Sequence, residues 1–395
     1  MSMDRPRVPT AAEIARAHTE VGADERRARV AWSRVLEPRR ERPSDRPGEL
    51  QTHLVTHGHV EAWHRLVDGD LPRAASARAR IADVDVDAEV ERVVRSKGRV
   101  VIPGDADWPP AFDQPDIAPH LVHVIGNGCL ADLARRSVAI VGSRASTGYG
   151  EAIAREMGAG IARRGWSVVS GAAFGIDAAA HQGTLAVSGR AIAVLPCGPD
   201  RVYPVAHRRL IDAIAEDGVV ITELATGTVA MRHRFLARNR LIAALGRATV
   251  VVEAGLRSGS LNTAGWAEGL HRPIGAVPGP VTQMSSAGCH EWIRRDSAKL
   301  VTDADEVLAL AAPLGEAPDE VVELLGPGRA PDAMSSDHRR IHDLLQTQRG
   351  AAAGAIATEL VVPVEEVIAQ LAMMQVEGWA VLDDDGRWHR GRGGA

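Results

Sequence analysis

The chain has 395 residues, 45% of them hydrophobic and 25% charged, with a formal net charge of −5. That length suits two or three domains with a sizeable core, and the absence of a long apolar run or an apolar leader predicts a cytoplasmic protein with no membrane partner. Three widely separated cysteines, Cys129, Cys197 and Cys289, exclude a disulfide framework and a clustered zinc site.

Residues 1–95 read as a helical, charged accessory domain, interrupted by the Pro/Arg-rich loop Glu37–Pro47, with no residue pattern that carries chemistry. Gly98–Pro119 reads as a Pro- and Asp-rich connector that leads into a short strand, Leu121–Ile125. From Ser137 the pattern alternates. Apolar runs at Val138–Val141, Ser167–Ser170, Ala191–Leu195, Val219–Thr222, Thr249–Val252 and Ile274–Val277 are separated by helical stretches such as Glu151–Arg164, Ile176–Val187, Arg208–Glu216 and Leu261–Leu270. Strands buried on both faces and alternating with helices predict a doubly wound, mainly parallel α/β sheet over residues 96–310. Residues 311–336 read as a linker rich in Pro, Gly and Ala. The last segment, 337–395, reads as three short helices followed by a strand, a turn and a strand, the outline of a winged helix.

Ligands of doubly wound sheets gather at the carboxyl ends of the strands, so the loops there hold the candidate site. After the first core strand come Gly142, Ser143 and Arg144, which place backbone amides, a hydroxyl and a guanidinium at a helix N-terminus, an arrangement that holds phosphate. The G-x-G-x-x-G spacing and the G-K-[ST] signature are both absent, so neither a dinucleotide site nor a Walker A loop is expected, and no cofactor is implied. Ser170 and Gly171 repeat the logic at the next strand end. Asp177 and His181 lie one helical turn apart there, but no third ligand or nucleophile accompanies them, and no metal site is expected.

The segment Met231–Arg240 packs Arg232, Arg234, Arg238 and Arg240 around Phe235, next to Asn239. Arginines neutralise phosphates and an aromatic face stacks on a base, so this is the strongest nucleic-acid signal in the chain. It lies within Ile221–Leu300, where ten Arg/Lys stand against five Asp/Glu despite the negative net charge. Ser258, Gly259 and Ser260, after a further strand, offer hydroxyls at a third helix N-terminus.

In order along the chain stand Val-Ala-Ile-Val-Gly-Ser-Arg, Ser-Gly-Ala-Ala-Phe-Gly-Ile-Asp, Phe-Leu-Ala-Arg-Asn-Arg-Leu-Ile-Ala-Ala-Leu, Val-Val-Glu-Ala with Ser-Gly-Ser-Leu-Asn-Thr-Ala, and Ala-Val-Pro-Gly. Together they resemble the DNA-processing protein A family (DprA, also called Smf) over roughly Gly98 to Val307. The resemblance implies an extended Rossmann-like core that binds single-stranded DNA, protects incoming strands, forms homodimers and helps load the RecA recombinase during natural transformation, without enzymatic activity. It also implies that Gly142, Ser143, Arg144, Arg232, Phe235 and Arg238 line the DNA groove. Two positions depart from the family pattern: His207 stands where Asn often follows Tyr-Pro, and Arg232 stands where Lys is common.

Two other readings compete. Nucleoside-monophosphate phosphoribohydrolases share this type of sheet, but they carry a glutamate close after the threonine of P-G-G-x-G-T-x-x-E. Here Thr263 is followed by Ala264-Gly265-Trp266-Ala267, and the first acid is Glu268. A regulator acting through the winged helix is disfavoured by charge. Residues 337–395 hold six Arg/Lys against nine Asp/Glu, and Val364-Glu365-Glu366 opens the presumed recognition helix.

Overall fold

The computed structural model describes residues 7–38, 42–46, 48–312, 336–345, 350–360, 362–376, 379–383 and 386–391. Residues 1–320 form one compact unit and 321–395 a second. Among the described residues, no helix is long and apolar enough to cross a membrane.

The first unit is built on a nine-stranded sheet of order β1-β2-β6-β5-β4-β3-β7-β8-β9. In chain order the strands are β1 (Gly98–Val101), β2 (Val122–Ile125), β3 (Ser137–Val141), β4 (Ser167–Ser170), β5 (Ala191–Val194), β6 (Val219–Thr222), β7 (Ala248–Val251), β8 (Ile274–Ala276) and β9 (Lys299–Leu300). From β6 to β9 every pairing is parallel, and β1 and β2 extend the sheet antiparallel beyond β6. The doubly wound reading therefore holds. The expected connector Gly98–Pro119 is corrected, because it contains β1 and the single 3-10 turn Pro110–Asp113. Edge strands are short and need little apolar sequence, which is why a Pro- and Asp-rich context hid β1.

Alternation along β3 separates two cores. Ala139 and Val141 pack with Val169, Ile192, Leu241 and Trp266 on one face. Val138 and Ile140 pack with Met157, Ile161, Ile176 and Val250 on the other. The chain order reverses at β3, which runs to β4, β5 and β6 on one side and to β7, β8 and β9 on the other. Such a reversal opens a crevice at the carboxyl ends of the two strands that flank it, here β3 and β7.

The N-terminal helices have a core of their own, with Trp32 and Trp63 edge to face at 5.7 Å between ring centroids. They nonetheless belong to the same compact unit as the sheet. The fully buried Glu89 carries much of that seam. Its carboxylate accepts from the Thr226 amide (2.7 Å), the Thr226 hydroxyl (2.6 Å) and Arg92 (2.9 Å), with Arg34 at 3.5 Å. Burial alone would push this carboxyl up; the Thr226 and Arg92 bonds and the Arg34 charge hold it below its ordinary value.

In the second unit, helices Ser336–Leu344, Ala353–Leu360 and Val364–Val376 precede an antiparallel pair, Ala380–Leu382 with Trp388–Arg390, around a core that includes Ile341, Leu371 and Trp388. The expected linker lies outside the described residues from 313 to 335; its first residue, Ala311, closes the helix Ala304–Ala311.

Candidate nucleic-acid interface

A pocket of about 770 Å³ opens where the strand order reverses. The loop after β3 supplies Gly142, Ser143 and Arg144. The helix Arg232–Leu245, which leads into β7, supplies Arg232, Phe235, Arg238 and Asn239. The loop after β7 supplies Ser258, Gly259 and Ser260. Three stretches far apart in sequence thus meet at one crevice.

Gly142 lets the β3 turn close. A Cβ there would lie 2.5 Å from Ile176 Cγ1, so any side chain would displace the first residue of the helix Ile176–Ala186, which follows β4. The turn is tied to β7 by the Ser143 amide, which donates to the Glu253 carbonyl at 2.7 Å. Arg144 is exposed, and its guanidinium lies over the Phe235 ring at 4.2 Å from the centroid. Such stacking leaves the edge N–H groups free for an anion. Phe235 is half-buried and meets Tyr203 edge to face at 5.4 Å.

The four arginines of the basic helix divide into two pairs. Arg234 forks onto Glu37 at 3.0 and 2.6 Å. Arg240 forks onto Glu223 and donates to the Ile117 carbonyl at 3.1 Å. Both are buried, and both join the helix to neighbouring segments. Arg232 is exposed and makes no ion pair among the described residues. Arg238 is only 4% exposed, and its Nε and one terminal nitrogen have no hydrogen-bond partner among the described residues. Burial pushes Arg238 down to about 10, opposed by Asp177 and reinforced by the like charge of Arg144. It is therefore still a cation at neutral pH, with unsatisfied donors at the floor of the pocket. Unpaired buried donors of this kind are costly unless a ligand meets them.

At the third wall Asn239 donates to the Asn262 side-chain oxygen at 3.1 Å and to the Gly259 carbonyl at 3.4 Å. The Ser258 and Ser260 hydroxyls lie 2.7 Å apart at the start of the helix Ser260–Gly269. Asp177 is the one carboxylate among the described residues that line the pocket. Burial pushes it up, while the Arg238 charge and the Ala173 amide oppose the shift.

Two expected site residues are corrected. Ser170 is fully buried and donates to the Ile140 carbonyl at 2.6 Å. Gly171 does not line the pocket; a Cβ at that position would lie 1.9 Å from an Arg238 terminal nitrogen, so the glycine makes room for the guanidinium behind it. His181, one turn from Asp177, is fully buried, and burial pushes it down to about 3. The structure also adds Arg42, Tyr203 and Arg257 to the lining. Arg257 directly precedes Ser258 and carried the same loop signal. Arg42 comes from the N-terminal segment, where nothing local marks it. Glu268, the acid weighed for a phosphoribohydrolase, is exposed, stands 4.0 Å from Arg295 and does not line the pocket.

The sequence model of the DNA recombination-mediator protein A family matches residues 99–312. The putative DNA processing protein DprA of Mycobacterium tuberculosis (strain H37Rv) is 41% identical over 384 residues, which is 92% of this chain and 95% of the relative. The X-ray structure of DprA from Streptococcus pneumoniae aligns with a TM-score of 0.56 and 31% identity, covering 77% of this chain and 98% of that one. A structure addressing the single-stranded DNA binding mode of DNA processing protein A from Helicobacter pylori aligns with a TM-score of 0.48 and 27% identity, over 54% of this chain and 95% of that one. With its strand order, its crevice and this similarity along nearly its whole length, the chain belongs to the DNA recombination-mediator protein A family of DNA-processing proteins.

Proposed function

We propose that the pocket binds single-stranded DNA, with Arg144, Arg232 and Arg238 on phosphates, the Ser143, Ser258 and Ser260 hydroxyls and Asn239 beside them, and Phe235 against a base. One observation carries this reading. Arg144, Arg232 and Arg257 stand exposed and, among the described residues, without a carboxylate within ion-pair distance, above the unsatisfied donors of Arg238 and around a half-exposed aromatic ring. Cations plus a ring face are what an unpaired strand needs; a duplex hides the faces of its bases.

The pocket is read as a binding site. Its lining carboxylate, Asp177, is buried beside Arg238 and serves as that cation's counter-charge. On the family's pattern the bound strand is protected and handed to the RecA recombinase by a homodimer in the cytoplasm. The helices and hairpin of the second unit are read as a winged helix whose acidic composition turns it away from phosphate.

The test is a salt series of binding to a single-stranded oligonucleotide. Arg144→Ala and Arg232→Ala should each weaken binding for every sequence and lower the salt slope by about one unit. Wild-type affinity and slope in both variants would place the DNA elsewhere.

A further inference from the structure

Aromatic residues make up 3% of the chain, and their placement is uneven. Trp32, Trp63, Trp266 and Phe112 are fully buried, whereas Tyr149, Phe174 and Tyr203 are 44%, 48% and 40% exposed. All three exposed rings follow the carboxyl ends of strands: Tyr149 after β3, Phe174 after β4 and Tyr203 after β5. Tyr149 ties its hydroxyl to the Pro278 carbonyl at 2.7 Å. Phe174 has no such polar anchor, and its ring is left in water outside the pocket described above.

Phe174 has a wall behind it. His207 meets it edge to face, with centroids 4.7 Å apart. The His207 ring is fixed by a 2.9 Å bond from Nδ1 to the Ala172 carbonyl, which can only accept, so Nδ1 carries the proton. The same loop reaches the pocket, since Tyr203, four residues before His207, lines it and touches Phe235. Cations follow at once. Arg208 and Arg209 are exposed and make no ion pair among the described residues.

We propose that Phe174, backed by His207, is a second base-stacking platform, and that Arg208 and Arg209 take the phosphates of the same stretch of strand. This rests on reading the pocket as the single-stranded DNA site and extends that site towards β5. The ligand class is an unpaired nucleotide of any base, because every base offers a π face. The platform lengthens the bound strand and adds no sequence preference.

The experiment compares oligonucleotides of about 6 and about 16 nucleotides, lengths that bracket one site and an extended one. The wild-type chain should bind the longer one more tightly. Phe174→Ala should lower affinity for the long oligonucleotide about tenfold and leave the short one within about twofold, with Phe174→Trp restoring the loss. A combined Arg208→Ala and Arg209→Ala variant should lower the salt slope for the long oligonucleotide alone, by up to about two units. A 5-iodouracil in the long strand should crosslink to the peptide that contains Phe174. Wild-type binding of both lengths by folded Phe174→Ala overturns the platform. Arg144→Ala separates the two readings: if it leaves both lengths unaffected while Phe174→Ala weakens the long one, the pocket fails and the platform stands. If the wild-type chain binds neither length, both fall.

Discussion

Where the N-terminal helices and the basic helix pack onto the rest of the fold, Arg34, Arg92, Arg234 and Arg240 each meet a carboxylate, whereas around the pocket Arg144, Arg232 and Arg257 meet none among the described residues. The two regions share a helix, and alternate arginines of that helix serve one or the other. The seam shows what it takes to hold charge inside this protein: Glu89 is surrounded by four donors from Thr226, Arg92 and Arg34. The pocket keeps its exposed cations near one another with no such compensation among the described residues, its carboxylate Asp177 being buried beside Arg238. Like charges held close repel, so the arrangement is costly in the free protein and that cost is recovered when an anion enters.

The largest expected effect comes from breaking the seam. Glu89→Ala removes the buried carboxylate and leaves the Thr226 amide and hydroxyl without their acceptor, which should cost about 1–3 kcal/mol of stability, read as a lowered Tm or urea midpoint. A variant as stable as the wild type would show that the seam charges are dispensable.

Acid should unfold the chain through the same half of the molecule. Burial holds His59 at about 2, His120 at about 3 and His123 at about 4, all below the ordinary 6.5. His181, beside the pocket, is held at about 3. These groups are neutral in the folded chain and take up protons on unfolding. Their contribution is therefore fully present above pH 6.5 and is lost as pH falls towards their folded values, with a slope of about 1.4 kcal/mol per pH unit for each histidine that titrates in the unfolded chain alone. Flat stability between pH 7 and pH 5 would contradict it.

The pocket should respond in binding and not in folding. Phe235→Ala should cost about 1–3 kcal/mol of affinity for single-stranded DNA and leave the salt slope nearly unchanged, because stacking releases no counterions. If the loss instead tracks a fallen Tm, the ring belongs to the core. Smallest of all is the effect expected from the second unit. A chain ending at Ala312 keeps the whole sheet and should match the full chain in single-strand affinity.

The sheet was legible because each central strand is a short β-branched run buried on both faces, and runs such as Ser167–Ser170 and Val219–Thr222 coincide with their strands. The positions around the crevice were legible because a doubly wound sheet tells the reader which loops to inspect. The division of labour inside those loops was not. Arg234 and Arg240 carry the same side chain as Arg232, and only their tertiary partners, Glu37 and Glu223, turn them into packing contacts. Ser170 and Gly171 have the composition of a phosphate-binding turn and spend it on a neighbouring strand and on Arg238. Phe174 stood in plain view within its motif, yet one chain position does not reveal whether a ring faces water.

The contact between Gly171 and Arg238 bears on how relatives of this chain should be compared. With 1.9 Å between a would-be Cβ and the guanidinium, the two positions cannot vary independently. Any side chain at 171 must either push the charge outward into the pocket mouth or be matched by a shorter residue at 238. Across an alignment the two columns should therefore change together. A sequence that keeps the arginine while gaining a methyl at 171 marks a groove whose floor has been rebuilt.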